Sequence, residues 1–188
     1  MKKTLFFDTE TTGLDSKKNS IIQFASIMEY DGKEVDRINI KFQPFEEAEI
    51  SQEALDKTGT TLEDILGYIS HVEGFQKIQL FLDKHCNKFD RNDKIYPAGY
   101  NSKFDTEFLS EMFKYNGERF GIGSYFNWRT IDPLPLLYLM DWTGKISLEN
   151  YKLETVCKHF KITLTDAHDA MSDIEATRDL IKKLLKNV

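Results

Sequence analysis

A chain of 188 residues with 40% hydrophobic and 13% aromatic side chains can bury a full core as one domain over 1–188, and it is too apolar for a disordered segment. The formal net charge of −6 argues against a broad basic face that grips phosphates directly, but it leaves room for a protein that meets phosphates through metal ions. No run approaches the ~18 apolar residues of a membrane-spanning helix, and two distant cysteines, Cys86 and Cys157, match no zinc or redox spacing, which points to a reducing, cytoplasmic setting.

The start, MKKTLFF, imitates a signal peptide, but Asp8 ends its apolar stretch too early for one. KTLFFDT instead predicts a short strand buried on both faces. IIQFASIMEY (21–30) and VDRINIKF (35–42) flank Asp31-Gly32, a strong hairpin signal, so the chain should open with three strands joined by short connections. Ser51 is placed to cap a short helix over QEALDK within the mixed stretch 44–72. Residues 74–86 have helical period. KIYPAGY (94–100) predicts a strand whose Pro97 suggests an irregular or edge position. A helix follows over 102–115, then a short strand over WRTID (128–132) and a short helix over LPLLYLM. Further helices are expected over 147–160 and 167–188. Three strands followed by helices alternating with strands imply one mixed α/β sheet with helices packed on it.

The last helix carries the first chemical signal. Its apolar side runs through Ala170, Ile174, Thr177, Leu180, Ile181 and Leu184, and Asp173 falls inside that arc at about 100° per residue. Its lysines, Lys182, Lys183 and Lys186, complement the dipole of the helix end. On 102–115, Asp105 lies between Leu109 and Met112 on the apolar side. An aspartate is seldom buried unless it is paired or bound to a metal. One such residue fits an ordinary cap or ion pair. Two on separate helices, together with Asp8 and Glu10 on one face of the first strand, suggest convergence. Four converging carboxylates raise one another's pKa and call for cations. Hard oxygen ligands select Mg²⁺ or Mn²⁺, less readily Ca²⁺. Asp166 or Asp169 could cap the last helix, which leaves His168 beside the cluster with a pKa suited to a general base.

Together these residues resemble the DEDDh exonucleases, which include polymerase proofreading subunits, ribonuclease T and oligoribonuclease. The first motif of that family, D-x-E-T-T-G-L, stands as Asp8-Thr9-Glu10-Thr11-Thr12-Gly13-Leu14. The second stands as Asn101-Ser102-Lys103-Phe104-Asp105, and the third, H-x-A-x-x-D, as His168-Asp169-Ala170-Met171-Ser172-Asp173. YKLETVCKHFKI (151–162) resembles the helix before the third motif. His168, where a neighbouring branch has tyrosine, assigns the branch. Tyr100 stands where histidine is commoner, and the sequence closes on its last helix, where a bacterial proofreading subunit carries a further tail for its polymerase.

The resemblance implies a ribonuclease H-like fold with a five-stranded mixed sheet, its first three strands an antiparallel meander. It implies removal of nucleotides from a 3′ end as nucleoside 5′-monophosphates. Two ions, ~4 Å apart, clamp the scissile phosphate in such a mechanism. Asp8 would bridge both, Glu10 and Asp173 would complete one site, and Asp105 would hold the other mainly through water. His168 would take a proton from the attacking water. The loop Thr11, Thr12, Gly13 and Leu14 would receive the terminal nucleotide, with the Thr11 and Thr12 amides on its 3′ hydroxyl and Leu14 against a base. Asn101 and Phe104 would also contact substrate. Single strands are expected, because the terminal bases must splay and stack. Phe104, Phe126 and Trp128 are stacking candidates, with core packing the competing role of each. Binding without metal should be weak.

Three readings of other kinds stay open at this point. They are a proofreading subunit inside a polymerase assembly, an enzyme that matures RNA or degrades oligoribonucleotides, and a binding module that keeps the fold without the chemistry. DNA and RNA are not distinguished, and a homodimer, known among relatives such as ribonuclease T, has no sequence mark.

Overall fold

In the computed structural model, which describes residues 1–165, 167 and 169–186, the apolar start becomes β1 (Lys3–Thr11), followed by β2 (Ile21–Tyr30) and β3 (Lys33–Lys41). Leu5 and Phe7 are buried on one side of β1 and Phe6 on the other, as a central strand requires. β2 runs antiparallel to β1, with Phe6 opposite Ile27 and Glu10 opposite Gln23. The β2–β3 turn places Asp31 and Gly32 at φ 48° and 81°, the left-handed pair that a tight hairpin needs. The β1–β2 link is longer than the sequence suggests. It occupies residues 12–20 and is tied by Thr12 N–H to Ser20 O at 2.8 Å and by Asn19 N–H to Asp15 O at 2.8 Å.

Next come α1 (Gln52–Thr58), α2 (Leu62–Leu66) and α3 (His71–His85), which lead to β4 (Ile95–Ala98). The sequence reading has no counterpart for α2. Its signal is a capping box, in which Thr61 and Asp64 bond reciprocally. β4 pairs in parallel with the start of β1 and gives the strand order β3-β2-β1-β4. Pro97 thus sits on an edge strand, as expected.

α4 (Lys103–Tyr115), a 3-10 turn (Gly121–Ser124), α5 (Leu134–Trp142), α6 (Leu153–Phe160) and α7 (Ala170–Leu185) complete the chain. The expected fifth strand is not formed among the described residues. Segment 128–132 contributes a single parallel bridge, Ala98 to Ile131. Side chains at its two ends accept from backbone amides. Asn127 accepts from the Arg129 amide at 3.0 Å, and Asp132 accepts from the amides of Ser102 and Leu134 at 3.0 and 2.9 Å. α6 also begins later than expected, because Asn150 accepts from the Lys152 amide and the Thr155 hydroxyl and holds the preceding residues in a turn.

One core lies between the sheet and α3 and α4, built on Leu5, Phe7, Phe24, Ile78, Leu109 and Phe113. A second joins Phe6, Ala25 and Ile27 to Ala170 and Ile174 of α7. α7 is also fastened by charge. Arg178 reaches Glu29 at 2.5 Å and Glu34 at 2.8 Å, and Arg37 joins Glu34 to Glu175. Glu29 is 4% exposed, so this pairing holds a buried carboxylate.

Candidate active site

β1 outruns its neighbour. Pairing with β4 ends at Phe6 and Ala98, so residues 8–10 project past the end of that edge strand. Phe6 faces α7, and strand alternation puts Asp8 and Glu10 on the same face. The intervening Thr9 is gripped from α4. Its amide and hydroxyl donate to Asp105 Oδ1 at 2.9 and 2.7 Å. Asp105 is 3% exposed and lies in the first turn of α4, and Asp173 lies in the first turn of α7. Both positions favour a negative charge through the helix dipole.

Electrostatics join the three elements. Burial pushes the Asp8 carboxyl well above its ordinary range, and the charges of Asp105, Glu10 and Asp173 push it further. Glu10 is raised to about 8 by burial and then by Asp173 and Asp105, with Lys41 pulling the other way. Asp105 stands at about 7, raised by burial and drawn back by its two bonds from Thr9. The four carboxylates of the sequence reading therefore share one field. Their all-oxygen donor set suits hard divalent ions. Among the described residues no three such groups already stand as an ion cage. His168 lies outside the described residues.

Two clefts flank this centre. One, of about 470 Å³, is lined by Thr9, Glu10, Thr11, Gly13, Leu14 and Phe104 together with α1. The other, of about 610 Å³, is lined by Tyr100, Asn101, Tyr138, Tyr151 and Asp173. Leu14 is 80% exposed at the rim of the first, free to meet a ligand. Gly13 is required by close approach, since a Cβ there would lie 2.4 Å from the Asn19 side chain. Asn101 has φ 57°, a left-handed conformation that asparagine tolerates. Thr12 departs from expectation. Its amide is spent on Ser20 O, and its buried hydroxyl donates to Glu49 O and accepts from the Ser20 amide, so it shapes the loop. Phe126 is a core residue packed on Phe7. Trp128 is 84% exposed and lines a different groove. Phe104 alone of the three aromatic candidates borders the Glu10 cleft.

Sequence reasoning missed several supports. Gln23, 4% exposed, donates to Asp169 Oδ2 at 3.2 Å and Asn39 Oδ1 at 3.0 Å. Asp169 in turn caps α7 by accepting from the Ser172 amide at 3.1 Å. A glutamine inside the apolar run IIQFASI was the available sign. Asp132 anchors the start of α4. Lys57, at the end of α1, borders both clefts and had no distinguishing pattern.

A mixed sheet that delivers acids from one strand and two helix starts to a shared centre defines a class of α/β proteins with a carboxylate-built site. Residues 5–181 match the RNase T exonuclease family, and the chain belongs to it. Relatives include the PolC-type DNA polymerase III of Lacticaseibacillus paracasei, 31% identical over 180 residues, and that of Oceanobacillus iheyensis, 32% identical over 183. The matches cover 96% and 97% of this chain but only 11% of each relative, so the chain spans about a tenth of their length. Among solved structures, E. coli exonuclease I in complex with a dT13 oligonucleotide superposes with a TM-score of 0.80 at 21% identity, over 99% of this chain and 41% of that one. Exonuclease I from Methylocaldum szegediense gives 0.76 at 21% identity, over 100% and 41%. These likenesses show a mixed α/β fold shared with exonuclease I. No helix among the described residues is long and apolar enough to cross a membrane.

Proposed function

We propose that the chain is one 3′→5′ exonuclease domain that hydrolyses single-stranded nucleic acid to nucleoside 5′-monophosphates. The observation that carries this reading is the shared field of Asp8, Glu10, Asp105 and Asp173, in which burial and mutual charge hold protons on carboxyls near neutral pH. Such a centre is chemically idle until cations offset it. Asp8, Glu10, Asp105 and Asp173 would hold two divalent ions, Mg²⁺ or Mn²⁺, which supply Lewis-acid stabilisation of the attacking and leaving oxygens. His168 takes a proton from the attacking water. Leu14 and Phe104 meet the terminal bases, the loop around Gly13 blocks a continuing strand, and Asn101 borders the path of the phosphate. Both cysteines are buried and unpaired, which suits the cytoplasm.

The likeness to PolC-type polymerases favours a second arrangement, the same chemistry working beside a polymerase. Single-stranded DNA is the first choice of substrate, since exonuclease I relatives of this fold are seen with dT13 and dA16 oligonucleotides.

The test gives 3′-labelled and 5′-labelled single strands of DNA and RNA to the protein with Mn²⁺, with a 3′-phosphate control. Loss of label from the 3′ end alone, blocked by the phosphate, is expected. Asp8→Ala or Asp173→Ala should cut turnover by about 10²–10³-fold, the scale of losing one preorganised electrostatic partner. His168→Ala should cost about 10²–10⁴-fold near pH 7 while metal binding persists. Retained turnover in Asp8→Ala refutes the metal assignment.

A further inference from the structure

The chain is acidic overall, yet its cations are unevenly spent. Of its five arginines, Arg37 and Arg178 are consumed by Glu29, Glu34 and Glu175. Arg91, Arg119 and Arg129 are all exposed, and among the described residues none of them forms a salt bridge. Arg91 lines a groove of about 770 Å³ along the outer side of α4 together with the exposed rings of Phe120 and Trp128, and Arg119 and Arg129 stand next to those two rings in sequence. Phe120 is 75% exposed and Trp128 is 84% exposed. The Arg119 guanidinium lies over the Phe120 ring at 5.6 Å, and that of Arg129 lies over Trp128 at 5.0 Å. The groove's carboxylate, Glu107, already faces Lys103 at 3.7 Å, and the Lys94 ammonium is held by the Gly123 and Ser124 carbonyls.

Two exposed rings, each beside a guanidinium that has no carboxylate partner among the described residues, match one partner chemistry. Bases stack on such rings and phosphates meet such cations. Thr106, Glu107 and Ser110 form one wall of the groove, so it begins one residue beyond Asp105 on the same helix. We propose that this groove is a track for the single strand upstream of the scissile bond, with Trp128 and Phe120 as stacking platforms and Arg91, Arg119 and Arg129 as phosphate contacts. The inference rests on the exonuclease reading and extends it. Grip on the terminal nucleotides belongs to the carboxylate centre, and grip on longer strands belongs to the groove.

The test compares a dinucleotide with a strand of roughly twelve nucleotides, long enough to occupy both regions. The variants are Phe120→Ala/Trp128→Ala and Arg91→Glu/Arg129→Glu, all at exposed positions. The stacking variant should raise KM for the long strand on the order of tenfold or more, with kcat held, and leave dinucleotide hydrolysis at its parent rate. Binding of the long strand in chelator, followed by fluorescence anisotropy, should weaken in both variants. The salt dependence should flatten in the arginine variant by roughly 0.7 per lost phosphate contact. Long-strand KM and binding equal to the parent's in both variants would overturn the track, whatever the dinucleotide result. Absence of hydrolysis by the parent protein would count against the exonuclease reading, and the binding arm would still decide the groove. If the variants instead lose only a protein partner, with strand binding intact, the groove is a protein interface and the track is refuted.

Discussion

Thr9 gives both its amide and its hydroxyl to one carboxylate oxygen of Asp105, at 2.9 and 2.7 Å, across 96 residues of sequence. The amide is available because β4 stops opposite Phe6, which leaves this part of β1 without a strand neighbour on that side. The β1 amide that the short edge strand leaves open and a helix-borne acid thus satisfy each other.

Thr9→Val keeps the strand and the amide bond but removes the hydroxyl bond. The Thr9 bonds hold Asp105 down to about 7 against burial, so its pKa should rise in the variant. A carboxyl must lose its proton to ligate a metal. kcat/KM should therefore fall by about tenfold at pH 7 and recover toward pH 9. A pH–rate profile whose acid limb moves up by about one pH unit is the expected result.

Metal-free protein should lose stability as pH rises. Glu10 binds its proton in the folded state up to about 8, against an ordinary 4.5. Between those values the folded state holds more protons than the unfolded one, so unfolding becomes easier with every step up in pH and the cost levels off above about 8. Asp8 and Asp105 act in the same direction. A tenfold change in proton affinity is worth about 1.4 kcal/mol, and about 1 kcal/mol moves Tm by about 2–4 °C at this size. Saturating Mn²⁺ should therefore raise Tm at pH 8 by at least about 3 °C, and by much less at pH 5. Thermal melts with chelator and with metal at both pH values check this.

Much of the fold was legible because its elements follow clean periods. β1 and the Asp31-Gly32 hairpin follow from alternation and turn chemistry, and α4 and α7 from apolar arcs. The inward acids Asp105 and Asp173 were legible as violations of those arcs, and Asp8 and Glu10 as a period-two pair. What sequence could not give was decided by side chains that bond backbone locally. Asn127 and Asp132 accept from backbone amides at the two ends of the expected fifth strand, Asn150 bonds the turn before α6, and Thr61 and Asp64 cap α2. The three aromatic candidates could not be separated by residue type. Phe126, Phe104 and Trp128 divide into core, cleft and outer groove only when packing is known.

Gln23→Leu tests a residue that sequence did not single out. Its amide steadies Asp169, which caps the helix that carries Asp173. Loss should lower kcat by less than the about 10–100-fold seen for a group bonded directly to a metal ligand, with weaker Mn²⁺ affinity by titration and an unchanged circular dichroism spectrum. Rescue by Gln23→Asn is not expected, since the shorter chain falls short of Asp169.

Arg178→Ala would leave Glu29 buried, with Lys182 at 3.5 Å as its remaining cation. Destabilisation at the lower end of about 3–5 kcal/mol is expected, read as a drop in denaturant midpoint. The partial compensation by Lys182 predicts that Arg178→Ala/Lys182→Ala is worse than the sum of the single changes.

The Asp31-Gly32 turn sits beside Lys2, whose amide donates to Asp31 Oδ1, at the end of the strands where Lys3 pairs with Tyr30. Glu10 lies seven residues further along β1, about 23 Å away at the rise of a strand. That separation makes the hairpin tip a natural handle. A dye, a surface tether or a short epitope grafted there would report on or immobilise the molecule while its reactive pole stays open to incoming strands.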